Sequence, residues 1–294
     1  MVLGAAAGGG FPQWNCGCRL CRLVRSGDLR TRPATQASVA VSGNGTEWAI
    51  VSASPDLRQQ IAQTPRLWPA AGLRHSPVAA VILLGGDVDA IAGLLVLRER
   101  QALTVYAPAS LLHLLSQNRI FDVLDPSLVR REPIAPDEPV RCPGGLTLTL
   151  LEMPGKVPLY LESHGTSTAE PGPTYAARLE ANGRSVIIAP ACAEITEQVR
   201  QQLHDADLVF FDGTLFTDDE MIVAGLGQKT GRRMGHVPVS GRGGTLERLA
   251  HLPGRRVLLH INNSNPILFC DSPERRQVEA AGFEVGYDGM EVVL

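Results

Sequence analysis

Several apolar runs in this chain end on side chains able to do chemistry. VILLGG leads into Asp87 and Asp89, VIIAPA into Cys192, LVFF into Asp212, and VLLH closes on His260. Runs of this length and composition read as buried strands, and in α/β sheets ligands gather beyond the strand ends. Each residue also has a plain structural reading. Asp89 suits a helix N-cap, Asp212 before Gly213 suits an Asx turn, and His260 suits a hydrogen-bonded core histidine. The recurrence of such residues makes the set a candidate site. In an extended segment Asp87 and Asp89, one residue apart, face the same way and can share a cation.

Two hairpins frame these runs. SVAVS, an Asn44-Gly45 turn and TEWAIVSAS form the first; TYAARLE, an Asn182-Gly183 turn and RSVIIAP form the second. Their shared grammar suggests two similar halves, although no sequence period marks a true repeat. AIAGLLVLRER and PERRQVEAAG carry helical patterns after buried strands, while Pro133–Gly145 and His164–Pro173 read as long surface loops. The sum is an α/β fold, two mixed β-sheets covered by helices, and residues 1–294 are read as a single domain.

Lys and Arg number 27 against 30 for Asp and Glu, a balance that argues against nucleic acid or an anionic membrane surface as partner. With no apolar run near the ~20 residues of a spanning helix and no signal-peptide pattern in MVLGAAAGGG, the reading is cytoplasmic, with no membrane insertion. Cys16, Cys18 and Cys21 crowd into NCGCRLC, while Cys142, Cys192 and Cys270 are scattered. In a reducing compartment three clustered thiolates suit tetrahedral zinc better than a disulfide framework; free thiols are the plain alternative. GAAAGGG lacks the helix and acidic partner of a dinucleotide fingerprint. GLGQKTGRR has the wrong order for a phosphate loop, so Lys229, Arg232 and Arg233 read as a solvated loop or as holders of a substrate carboxylate.

LGAAAGGGFPQWNCGCRLC, SASPDLRQQI, GDVDAIAGLLVLRERQ, PGKVPLYLE, FFDGT with DDEM, GLGQKTGRRMGH, HINNSNPIL and YDGMEVVL follow one another along the whole chain. In these blocks the chain resembles the PqqB family of the metallo-β-lactamase-like superfamily. That resemblance implies an αββα sandwich and a role in making pyrroloquinoline quinone (PQQ), built from a Glu and a Tyr. It implies either an iron-dependent, oxygen-using hydroxylation of the tyrosine ring of a Glu-Tyr precursor, or a non-catalytic carrier moving PQQ or its precursor toward the periplasm. The implied partners are that precursor and other PQQ-biosynthesis proteins.

The superfamily motif is HxHxDH. In the aligned GGDVDA, Gly85 and Asp87 stand for the first two histidines, Asp89 keeps the aspartate, and Ala90 replaces the last histidine, which PqqB relatives commonly keep. Lys156 and Cys192 depart from later motifs. The resemblance leaves Asp87, Asp89 and His260 as holders of an active-site Fe(II), with Asp212 and His236 as further catalytic candidates. Two histidines and a carboxylate suit iron oxygen chemistry, and the missing histidines disfavour two-metal hydrolysis. NCGCRLC, within a loop at 14–22, also resembles a structural zinc knuckle of the superfamily. Its fourth ligand is open among Asn263, Cys270, His75 and water.

Overall fold

The computed structural model describes residues 1–162 and 171–294. Part of the loop expected at His164–Pro173 lies outside them. Among the described residues one sheet orders β1 (Val2–Gly4), β2 (Ser38–Val41), β3 (Trp48–Val51), β4 (Val78–Ile82), β5 (Leu103–Ala107) and β6 (Val129–Pro133). The other runs in reverse chain order, beginning at its far edge with β7 (Val140–Cys142), β8 (Leu146–Lys156), β9 (Pro171–Ala181) and β10 (Arg184–Ala189). It continues through β11 (Leu208–Asp212), β12 (Arg255–Leu259) and β13 (Glu284–Val285). In both sheets antiparallel pairs come first and parallel pairs follow, from β3 and β10 onward. The expected halves are therefore similar in strand pattern.

Both hairpins form. The second closes on Asn182 and Gly183 with φ of 53° and 73°, the left-handed pair a two-residue hairpin turn requires. Alternate side chains of the facing strands, including Val39, Ile82, Leu148, Ile188 and Phe210, fill the core between the sheets. The opposite faces bury Val81 and Leu83 on the first sheet, and Val209 and Phe211 on the second, under the surface helices. Strands covered on both faces read as continuous apolar runs for this reason. The result is the αββα arrangement.

Three expectations need correction. Pro133–Gly145 is not all loop, because Val140–Cys142 pairs with β8 as an edge strand. AIAGLLVLRER contributes only Ala90 and Ile91 to a four-residue α-helix, Val88–Ile91, and continues as a 3-10 segment, Ala92–Leu97. The cause is Gly93, whose amide bonds the Ala53 carbonyl and where any Cβ would overlap the Ser54 oxygen, so the segment is drawn onto the end of β3. Asp87 is consequently the cap residue and Asp89 lies in the first turn, not together in an extended segment.

The N-terminal glycine-rich stretch ties the two sheets together. Ala6 bridges both Gln36 and Ile261, and Asp288 accepts hydrogen bonds from the Ala5 and Thr35 amides. Among the described residues no helix is long and apolar enough to cross a membrane.

Candidate metal centre

The ends of β11 and β12 deliver the centre. Asp212 is the last, fully buried residue of β11, and His260 follows β12 with φ of 58°, a left-handed conformation rare for a non-glycine residue. His236 arrives on the loop after the 3-10 turn Arg232–Met234. One ligand atom from each of Asp212, His236 and His260 lies within 4.8 Å of the other two. The two imidazoles stack at 21° with centroids 5.1 Å apart.

Thr214, which the sequence reading did not single out, organises them. Its hydroxyl donates to Asp212 Oδ1 at 2.7 Å and lies 3.0 Å from His236 Nδ1 and 2.9 Å from His260 Nδ1. A hydroxyl has one proton and two lone pairs, so once the carboxylate takes the proton His260 Nδ1 must donate to it, while His236 Nδ1, with Thr214 at 3.0 Å and Asp212 Oδ2 at 2.8 Å, faces two acceptors and donates as well. This assigns the proton to Nδ1 in each ring and leaves each Nε2 for another partner. Asp212 also accepts from the Thr214 and Cys192 amides, both at 3.0 Å, and from His236 Nδ1 at 2.8 Å. Its Asx-turn reading and its place at the centre therefore both hold.

His260 Nε2 faces Asp89 Oδ2 at 3.1 Å. With the other nitrogen committed to Thr214, a neutral ring would set a lone pair against a carboxylate, so a positive charge belongs between them. A proton satisfies this in the metal-free protein. Burial opposes both charges, yet their hydrogen bond and mutual attraction hold Asp89 below, and His260 above, their ordinary pKa values. A metal ion fits equally, because two donors each about 2.1 Å from one ion at a right angle stand about 3 Å apart. Gly8 lies against this contact, where a Cβ would meet Asp89 Oδ2 at 3.3 Å.

Asp87 lines the same cavity, its Oδ1 accepting from the Leu159 amide at 3.2 Å; among the described residues neither Asp87 nor Asp89 falls in the close group of Asp212, His236 and His260, and of the two only Asp89 contacts an imidazole. Ala90 lines it too, presenting a methyl group. The Cys192 thiol donates to the Glu194 carbonyl, and burial pushes its pKa up to about 12, so it is no thiolate ligand. The cavity, about 350 Å³, is bounded by Leu84, Leu159, Met221 and Met234 as well as by the polar residues. Lys229 reaches it, paired with Glu162 at 3.3 Å. Arg233 also binds Glu162, and Arg232 is exposed, with its amide on Asp218. Among the described residues neither arginine lines the cavity. Of the three residues read as a solvated loop or as holders of a substrate carboxylate, Lys229 reaches the cavity and Arg232 keeps the solvated-loop reading.

Cys16, Cys18 and Cys21 also converge, with sulfur atoms within 4.8 Å of one another. Asn263 covers the group, its Nδ2 3.2, 3.8 and 3.4 Å from the three sulfurs in turn. Three sulfurs and an amide make a four-sided donor set that suits zinc, since turning the amide presents its oxygen. Hydrogen bonds, led by the Cys21 amide, outweigh burial and lower the Cys18 pKa, whereas burial raises Cys21 to about 11. Cys270 is exposed and bonded to Asp271, and His75 accepts from the Ala70 amide; neither joins the group.

The two-sheet sandwich with polar residues at its strand ends defines a metallo-β-lactamase-type protein, and a family model described as a beta-lactamase superfamily domain matches residues 47–261. More specifically, the chain belongs to the coenzyme PQQ synthesis protein B family. It is 54% identical to that protein of Gluconacetobacter diazotrophicus, over 99% of this chain and 98% of the relative. It is 51% identical to the one of Methylobacterium nodulans, over 100% and 99%. A crystal structure of Zn(2+)-bound PqqB from Methylobacterium extorquens superposes with a TM-score of 0.96 at 48% identity, covering 100% of this chain and 99% of that one. A diphosphatase from the PhnP family shares the fold, with a TM-score of 0.68 at 17% identity over 99% and 95% of the two chains.

Proposed function

We propose that this protein works in PQQ biosynthesis, in the cytoplasm and as one domain over 1–294, as an iron-dependent hydroxylase of the tyrosine-derived ring in a Glu-Tyr precursor. The observation that carries this reading is the 3.1 Å approach of His260 Nε2 to Asp89 Oδ2 with Thr214 holding the far side of the ring. With His236 as second imidazole, the donors would be two histidines and the Asp89 carboxylate, the set suited to Fe(II) and oxygen, while Asp212, which shares the close group with both imidazoles, orients them. Bound Fe(II) would supply the one-electron chemistry that oxygen activation needs.

The chain's own residues do the rest. Thr214 and Asp212 fix the tautomer and orientation of both imidazoles, as outer partners of metal ligands do. Leu84, Leu159, Met221 and Met234 offer an apolar bed to an aromatic ring and reduce the water beside it. The cysteine cluster with Asn263 holds a structural zinc in this reading, which the Zn(2+)-bound relative supports. Its place is close to the centre, since Asn263 lies three residues beyond His260.

The test incubates Fe(II)-loaded protein with oxygen, ascorbate as two-electron reductant and a Glu-Tyr precursor. One oxygen atom enters the ring and the other leaves as water, so the product gains one oxygen in mass. No gain with iron present, accompanied by tight binding of PQQ, would leave the carrier role instead.

A further inference from the structure

The cavity wall formed by the end of β8 carries charge opposite to that at Asp87 and Asp89. Arg233 engages Glu162 through both terminal nitrogens, each 3.2 Å from a different carboxylate oxygen. Lys229 donates to Glu162 Oε2 at 3.3 Å, a contact about as long as the arginine's, and Lys156 stands farther off at 3.6 Å, an ion pair without a hydrogen bond. One carboxylate is thus shared among three cations, which leaves the group with a net positive charge and the two ammonium groups with donors to spare. Both lysines line the cavity.

Lys156 is placed with particular care. Only 13% of its side chain is exposed, and its stem packs against Gly235, where a Cβ would come within 3.0 Å of its Cγ. The ammonium gives one hydrogen bond to the Val157 carbonyl at 3.0 Å and has three donors in all. A sheltered ammonium with donor capacity, facing a cavity, is a receptor for an anion.

We propose that Lys156 and Lys229 form a carboxylate-binding subsite for an aromatic substrate bearing at least two carboxylates. The pair anchors the amino-acid end of the substrate, and repulsion from Asp87 and Asp89 directs that end away from the metal side, so the ring is delivered to His236 and His260. This rests on the proposed reading of the cavity as a substrate site but not on its iron chemistry.

The test is calorimetric titration of the full-length, zinc-loaded protein, without iron or oxygen, using the dipeptide Glu-Tyr and its carboxylate-free counterpart Gln-Tyr-amide, both with the α-amino group acetylated so that they differ only in the carboxylates. Glu-Tyr should bind about tenfold tighter or more, in line with charged hydrogen bonds worth about 1.5–3 kcal/mol. Lys229→Met and Lys156→Met should each remove most of that advantage and leave Gln-Tyr-amide unchanged, while Lys229→Arg should retain most of it. Lys229 is 41% exposed on its side chain, so its variants test the subsite even if Lys156→Met does not fold. Equal binding of the two dipeptides, no binding of Glu-Tyr at millimolar concentration, or an unchanged Lys229→Met would overturn the proposal. A failed hydroxylation assay leaves this result standing, and the converse also holds.

Discussion

The hydroxyl of Thr214 lies 2.9 Å from Nδ1 of His260, and that contact decides which nitrogen of the imidazole is left to face Asp89. The same oxygen reaches His236 and Asp212, so a single side chain sets the orientation of the whole centre. Thr214→Val keeps the shape of the side chain and deletes the hydroxyl. Fe(II) affinity should fall about 10–100-fold, the usual cost of losing an outer partner of metal ligands. Anaerobic titration checks this; affinity within twofold of the natural protein would contradict the role.

The zinc reading predicts that Cys16→Ser, Cys18→Ser or Cys21→Ser lowers zinc content and thermal stability. Cys270→Ser should leave both unchanged, because that thiol is exposed and lies outside the group. Asn263→Asp should tighten zinc by offering a charged oxygen where the amide now covers the sulfurs. Metal analysis after dialysis against a chelator measures all of these.

Glu220 is a buried carboxyl that accepts from the Phe216 amide and Ser264 hydroxyl, and burial pushes its pKa up to about 7. Its pKa is higher folded than unfolded, so between about 4.5 and 7 the folded state binds the extra proton and stability falls as pH rises. The full effect is on the order of 3 kcal/mol. Glu220→Gln should flatten this window and stabilise the protein at pH 8. Denaturant unfolding at a series of pH values gives the answer, and an unchanged slope would refute it.

Ala90 lines the cavity next to Asp89, and its methyl group offers no lone pair. Ala90→His should tighten Fe(II) binding by adding an imidazole beside the existing donors. Anaerobic titration checks this, and an affinity no tighter than that of the natural protein would show that position 90 does not reach the ion held by His236 and His260.

Much of this fold is legible in the residue order. Apolar runs such as LVFF and VLLH announce strands buried on both faces, and Asn182-Gly183 announces its turn, because those signals are local. The cysteine cluster is legible for the same reason. Asp212, His236 and His260 could be suspected singly, but their grouping spans β11, β12 and a distant loop, which no local period encodes. Thr214 stayed hidden behind Asp212 as part of an ordinary Asp-Gly-Thr turn. The order DVD suggested a shared face for Asp87 and Asp89, and Gly93 overrode it by drawing the segment into a helical turn against Ser54. Lys156 and Glu162 are joined by tertiary packing alone, and the basic run at 229–233 gave no sign of the carboxylate that engages it.

The most direct measurement is an anaerobic Fe(II) titration of zinc-loaded protein, carried out in parallel on Asp89→Ala, His236→Ala and His260→Ala. The account predicts one tight Fe(II) per chain in the natural protein and a loss of about tenfold or more in affinity for each variant. Two equivalents of iron, none, or undiminished binding in the His260→Ala and Asp89→Ala proteins would contradict a single centre built on that pair.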